Sequence, residues 1–276
     1  MMTAKRKTGP SKIGQNFLVD ENIARFMCRR AAIGPKDTVL EIGPGKGMLT
    51  GHLLEASPRC LYAIEIDRER FSADLEPLAF AHPNLEIIWC DALAFDYRVF
   101  FDVPPEKIVA NIPYQITTEL LWKLLEEAAP AGAASFLLMV QAEAADRISA
   151  RPGARQSNPL SVTLALMGSV DLVKNVPPEV FRPRPKVQST IVQIQLDKPR
   201  FFEEKKNWRH FIETAYRQRR KTLLNNLFKG LHLEREMIMS WFRKLGVGPK
   251  QRAEEIDPDI WNLLYEEWSK MRRAKP

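Results

Sequence analysis

The 276-residue chain has little of what several common chemistries require. Cysteine is scarce: Cys28, Cys60 and Cys90 are an odd number in apolar surroundings. That excludes a disulfide-stapled framework and offers no metal-ligand spacing, so buried free thiols in a reducing compartment are expected, and no metal. The four histidines are scattered and form no nucleophile–base pair. Long hydrophobic runs are missing, since Phe136 to Val140 has the length of a strand and not of a membrane span. Met1 to Ser11 is basic and polar without an apolar core, so no secretory signal is expected and the cytoplasm is the expected compartment. No repeat or low-complexity segment interrupts the chain. What is present, 45% hydrophobic and 27% charged residues, suits a soluble globular protein with one sizeable core and a small second domain.

Four strand-like runs end in polar residues. Thr38 to Ile42 carries Glu41 and meets Gly43, Gly45 and Gly47 at alternate positions, followed by a helical pattern through Ala56. Glycines there permit a tight turn and close approach of a ligand to backbone at a helix start. The spacing is not the dinucleotide Gly-x-Gly-x-x-Gly, and Glu41 suits a cation better than a pyrophosphate. Cys60 to Ile66 delivers Glu65, the usual position of a ribose-binding carboxylate. Leu85 to Cys90 ends at Asp91, and Lys107 to Ala110 ends at Asn111. Glu41, Glu65, Asp91 and Asn111 are therefore expected at one edge of a parallel sheet, with Asp67 as a helix cap.

Asn111-Ile112-Pro113-Tyr114 reads as a receptor for an exocyclic amine. The Asn111 side chain and the Pro113 carbonyl can each accept a hydrogen bond from one NH2 group, and Tyr114 offers a flat face to a base. An adenine N6 is a poor nucleophile because its lone pair is delocalised into the ring. Two acceptors would draw its N–H bonds toward a tetrahedral nitrogen, with no general base of matched pKa required.

Together these residues resemble S-adenosylmethionine-dependent methyltransferases, and more closely the ribosomal-RNA adenine N6,N6-dimethyltransferase family. The resemblance runs from Lys12 almost to Ile256. It includes Gly14-Gln15-Asn16-Phe17-Leu18, Glu41 to Gly45, Glu65-Ile66-Asp67, Asp91-Ala92-Leu93 and Asn111 to Tyr114, then Phe181 to Val187, Gln218 to Leu227 and Arg252 to Glu255. It implies a Rossmann-like α/β sheet of seven strands, the last antiparallel, and dimethylation of two adjacent adenines near the 3′ end of small-subunit rRNA. S-adenosylmethionine would be held by Asn16, Leu18, Gly43, Glu65, Asp91 and Asn111, with Asn16 and Leu18 in a lid. Asn111, Pro113, Tyr114 and Phe181 would form the catalytic set, Phe181 closing the second face of the base from an exposed Arg-Pro-Arg-Pro-Lys loop. Ile112 stands where leucine is usual, and Asn158-Pro159 where a glycine-containing pair often stands, which points to an altered loop beside the substrate channel. An erythromycin-resistance-type enzyme acting on large-subunit rRNA shares several of these motifs, though not Gln218 to Leu227 or Arg252 to Glu255. A non-catalytic nucleic-acid-binding relative and a small-molecule methyltransferase are further alternatives.

Charge divides the chain. Residues 1–199 carry 23 basic and 23 acidic residues, while residues 200–276 carry 18 and 11, so the whole net charge of +7 lies in the last quarter. A polyanionic partner engaged there is implied. The densest run, Lys205 to Lys221, interleaves Trp208, Phe211 and Tyr216 at helical spacing, so one face can dock while Arg217, Arg219, Arg220 and Lys221 meet phosphates. Lys5, Arg6, Lys7 and Lys12, with Arg182, Arg184 and Lys186, extend a basic groove toward the active site. Strands near 38–42, 60–66, 85–90, 107–110 and 134–140 alternate with helices near 47–56, 67–80, 116–128 and 141–150. A helix over 157–168 and strands over 170–176 and 189–196 follow. After Pro199 only helices are expected, near 207–228, 233–245 and 257–272. The reading is a cofactor-binding domain over 1–199 and a basic RNA-binding helical domain over 200–276, in a monomer that works on a pre-ribosomal or small-subunit particle.

Overall fold

A computed structural model describes residues 16–151, 153–199 and 201–274. Lys5, Arg6, Lys7, Lys12, Gly14 and Gln15 lie outside the described residues. β1 (Phe17–Leu18) and α1 (Glu21–Ala31) lead into β2 (Thr38–Ile42), α2 (Met48–Glu55), β3 (Cys60–Glu65), α3 (Arg68–Ala81) and β4 (Leu85–Trp89). Then come β5 (Lys107–Asn111), α4 (Thr117–Lys123), α5 (Ala129–Ala131), β6 (Ser135–Gln141), α6 (Ala142–Ile148) and α7 (Pro159–Met167). β7 (Gly168–Val176), β8 (Phe181–Arg182) and β9 (Ser189–Leu196) precede α8 (Phe201–Glu204), α9 (Trp208–Tyr216), α10 (Leu223–Leu231), α11 (Arg235–Leu245) and α12 (Pro258–Ala274).

Local chemistry sets the helix starts. Asp20 caps α1 by accepting from the Ile23 N–H at 3.0 Å, and Asp67 caps α3 by accepting from Arg70 N–H at 3.2 Å. Asn158 accepts from the N–H groups of Leu160 and Ser161, both at 3.1 Å, with Pro159 in the first turn where its missing N–H costs nothing. The unusual Asn158-Pro159 pair is thus a helix cap.

Seven strands form one sheet in the order β4-β3-β2-β5-β6-β9-β7, and β9 alone runs antiparallel to its neighbours. All five positions of β2 are buried, as helices on both faces require. The one amide in the middle of β9, Gln193, donates to Ser135 Oγ at 3.0 Å and to the Phe136 carbonyl at 3.3 Å. From β2 the chain steps outward to β4, then returns to place β5 on the other side of β2. That reversal opens a crevice at the C-terminal ends of β2 and β5.

The helical segment differs from expectation in the additional short helix α8 and at one further point. A single helix over 207–228 is broken into α9 and α10, with Arg217 to Lys221 exposed between them. Thr222 accepts from Asn225 N–H at 3.3 Å and starts a new helix. The Asn226 amide donates to the carbonyls of Ala215 (2.7 Å) and Gln218 (3.3 Å), satisfying groups that the end of α9 leaves open. Four cations within five residues would also repel one another on a continuous helix.

Among the described residues, buried side chains of α7 and of α9 to α12 belong to one cluster. Trp208 is fully buried and donates from its indole N–H to Thr163 Oγ1 of α7 at 2.8 Å. The Tyr216 hydroxyl meets Ser157 Oγ at 2.9 Å and the Ala253 carbonyl at 3.1 Å. Arg209 lies 5.0 Å from the Trp122 ring and pairs with Glu119 (2.8 Å), Glu126 (3.6 Å) and Glu213 (2.9 Å). Part of the basic run therefore fastens the helices to α4 and the turn after it.

Candidate active site

The crevice is built from the ends of β2, β3 and β5. Gly43, Gly45 and Gly47 have φ of 73°, 57° and 81°, the left-handed region that glycine occupies without strain. At Gly43 a side chain would meet only the Asn111 carbonyl, at 3.9 Å, so the glycine loop and the end of β5 adjoin. Glu65, 3% exposed, accepts from Gly45 N–H on Oε2 (3.1 Å) and from Ile66 and Asp67 N–H on Oε1 (2.9 and 3.0 Å). Burial raises its pKa while these three N–H groups pull it down. Oε1 is filled by its two bonds while Oε2 accepts only one, so the group holds the loop and still offers a lone pair of Oε2 to a ligand. Asp91 is exposed at the end of β4, where Oδ1 accepts from Leu93 N–H at 2.9 Å.

The second wall is the Asn111–Tyr114 turn. The Asn111 amide N–H donates to the Asn16 carbonyl at 3.2 Å, which leaves its Oδ1 as the acceptor directed elsewhere. The Pro113 carbonyl accepts from Ile116 N–H at 3.2 Å and from the Thr117 hydroxyl at 3.4 Å as it closes the turn. The Tyr114 hydroxyl meets Ser189 Oγ on β9 at 2.9 Å, fixing a half-buried ring by its polar end.

Residues 16–18 tie these pieces together. Asn16 meets Asn111, the Phe17 ring lies where a Gly45 side chain would stand (3.0 Å), and Leu18 pairs with Phe181 across β1 and β8. Phe181 departs from its expected exposed position. It is 1% exposed and packs with Leu18, Met139, Val176 and Ile191, because pairing with β1 turns its ring into the core. Only Arg182, Pro183, Arg184 and Lys186 of that loop are exposed, Arg184 being paired with Glu179. In this conformation the Phe181 ring is not presented to a base.

Sequence reasoning missed Ser189 as the anchor of Tyr114, the backbone carbonyl that orients Asn111, and Arg209 as a fastening residue. The cysteines are free but half-buried; burial, with the Glu41 and Glu55 carboxylates, pushes Cys28 up to about 12, so it is a poor nucleophile. Among the described residues no group of three His, Cys, Asp or Glu side chains could hold a metal, and no helix is long and apolar enough to cross a membrane.

The ribosomal RNA adenine dimethylase family model matches residues 6–270. The chain belongs to that family. Its enzymes transfer methyl groups to ribosomal RNA, and so does this one. It is 40% identical over 260 residues to the ribosomal RNA small subunit methyltransferase A of Moorella thermoacetica, covering 88% of this chain and 86% of the relative. A relative of the same name from Clostridium botulinum is 35% identical, with 91% of each chain covered. Among solved structures, a dimethyladenosine transferase from Plasmodium falciparum aligns with a TM-score of 0.78 at 25% identity, over 92% of this chain and 98% of that one. The 23S rRNA methyltransferase ErmE, at 24% identity and a TM-score of 0.68 over 92% of this chain and 100% of its own, shares the fold.

Proposed function

We propose that this chain transfers methyl groups from S-adenosylmethionine to N6 of two adjacent adenines near the 3′ end of small-subunit rRNA, giving N6,N6-dimethyladenosine. The observation that carries the reading is the Asn111–Tyr114 turn set against the glycine loop at the switch point of the sheet. The names of the relatives and the Gln218 to Leu227 and Arg252 to Glu255 motifs favour the small subunit over the large.

The residues present suit the cofactor. Positive-φ glycines open the backbone to a ligand, Glu65 presents a carboxylate to ribose hydroxyls, and Glu41 Oε2 is a buried acceptor without a hydrogen-bond partner beneath the loop. Asn16, Leu18, Gly43, Glu65, Asp91 and Asn111 would hold S-adenosylmethionine, which supplies an electrophilic methyl group on a cationic sulfur. Asn111 Oδ1 accepts one N–H of the adenine amine, and the Pro113 carbonyl accepts the other while it closes its turn. Tyr114 stacks on the base through its ring, the hydroxyl being occupied by Ser189. Phe181, buried against Leu18, does not present its ring to the base in this conformation.

Residues 200–276 would grip the rRNA. Arg217, Arg219, Arg220 and Lys221 stand exposed between α9 and α10, beside a cleft of about 180 Å³ whose lining includes Arg217, Lys221, Asn225, Lys229 and Arg235. The working form is a cytoplasmic monomer acting on a partly assembled small-subunit particle. Mass spectrometry of rRNA from cells with and without the protein tests the reading: an unchanged dimethyladenosine content in the small-subunit RNA would refute it.

Two substitutions test individual roles. Glu65→Ala is expected to weaken S-adenosylmethionine binding by about 1–3 kcal/mol, the usual loss for hydrogen bonds to a charged group, with RNA affinity hardly changed. Wild-type cofactor affinity by calorimetry would remove Glu65 from the site. Tyr114→Phe should keep most activity, whereas Tyr114→Ala should lose about 1–3 kcal/mol of base stacking. Equal inactivity of the two in a single-turnover assay would rule out the stacking role.

A further inference from the structure

Beneath the glycine loop lies a carboxyl that the proposed chemistry leaves unused. Glu41 of β2 stands between Ala63 of β3 and Val109 of β5. Residues two apart on a strand share a face. Glu65 and Asn111, two positions beyond those partners, therefore share the face of Glu41 and lie one step nearer the strand ends. That face is covered by α1 and α2, whose Met27 and Leu53 pack with Val39, Ala63 and Val109.

Glu41 is 1% exposed, and its Oε2 has no hydrogen-bond partner. Thr50 Oγ1 of α2 is likewise buried, acts on the Glu41 carboxyl without a full hydrogen bond, and lies 3.9 Å from where a Cβ on Gly47 would stand. With no full hydrogen bond on Oε2, the Glu41 carboxyl lies against the loop under-satisfied, a costly arrangement unless a ligand or a proton answers it.

The charged group that acts on Glu41 directly is another carboxylate. Among the described residues, Glu65 on β3 acts on Glu41 directly, and the neutral Cys28 thiol faces it from α1, with Glu55 of α2 and Arg29 of α1 acting on that thiol. On β5, Val109 and Asn111 are uncharged, and Lys107 is held by Asp37 at 2.7 Å. Lys46 of the loop is exposed. Burial pushes the Glu41 carboxyl up to about 8, with the Thr50 hydroxyl opposing the rise and the Glu65 carboxylate adding to it.

We infer that Glu41 is a proton-coupled charge selector for the cofactor site, neutral until a cationic ligand lies above it and ionised when one does. The inference rests on the loop being the S-adenosylmethionine site. Only the Glu41 O–H bond breaks, and its proton leaves to solvent; when the sulfur becomes a neutral thioether, the carboxyl takes a proton back. The site thereby favours the sulfonium donor over S-adenosylhomocysteine and assists product release.

The sign follows from linkage. Because the ionised form binds the donor better, donor affinity should rise with pH up to about 8, approaching about tenfold per unit at most. Titration calorimetry of the full chain in buffers of differing ionisation enthalpy, from about pH 6 to 9, reads this directly. Near pH 7 the wild type should release about one proton more than Glu41→Gln on binding S-adenosylmethionine, and its preference for donor over product should grow with pH. Glu41→Gln should lose both effects; the α-amino group of the ligand titrates alike in the two proteins and cancels. Equal proton release and equal discrimination in both proteins would overturn the inference. If Glu41→Gln does not fold, donor and product are compared in the wild type, and equal proton release for the two overturns it. Failure of both proteins to bind either ligand would instead sink the cofactor reading.

Discussion

Asn111→Ala is expected to slow single-turnover methyl transfer by about 10²–10³-fold while the protein folds normally and keeps most of its donor affinity. The magnitude is that of removing one preorganised polar group from a reacting centre. The asymmetry between turnover and binding follows from the geometry. The Asn111 amide nitrogen is committed to the Asn16 carbonyl, so the carbonyl oxygen of the side chain is free for the substrate amine and is held without reorganisation. Asn111→Asp offers an acceptor but loses the bond to Asn16, and it brings a third carboxyl group to the face that already carries Glu41 and Glu65. An intermediate rate is expected for it. Rapid-quench measurement at saturating donor separates chemistry from binding, and a wild-type rate in Asn111→Ala would show that the amine is oriented by something else.

Much of this arrangement was legible in the sequence because it is local. The period-2 and apolar runs of β2 to β6 are bounded by glycines and acids, and each places its last polar residue at a strand end whatever the strand order. Capping by Asp20 and Asp67 is likewise decided within four residues. What stayed hidden depends on pairs far apart in the chain. Tyr114 and Ser189 are separated by 75 residues, and Asn111 and Asn16 by 95, with no pattern in either segment naming its partner. Phe181 misled for the same reason. The prolines and cations after it describe an exposed loop, and they do, but its own burial is set by a two-residue pairing with Leu18. The break at Arg217 to Lys221 was readable in part, since a threonine after a run of like charges is a helix start; the hydrophobic spacing on either side concealed it.

The other large effect is expected in RNA binding. Replacing Arg217, Arg219, Arg220 and Lys221 together by glutamine should weaken rRNA affinity and lower the slope of its logarithmic salt dependence by about 3, at roughly 0.7–0.9 for each phosphate that is no longer neutralised. The four side chains are exposed on a turn, so they are placed to meet phosphates without first giving up a core position. Arg219 donates to the Arg155 carbonyl, and Leu223 and Leu227 are buried just beyond, so circular dichroism must confirm that the variant folds. Cofactor binding, which draws on the strand ends, should survive. Arg209→Gln supplies the contrast. Its guanidinium is already neutralised by Glu119, Glu126 and Glu213 and packed over Trp122, so its loss should cost stability and leave the salt slope unchanged. A folded quadruple variant with the wild-type slope would show that the charge of residues 217–221 is solvated surface and that the RNA is held elsewhere. A slope lowered equally by Arg209→Gln would show that net charge, and not the placement of these four residues, governs the encounter.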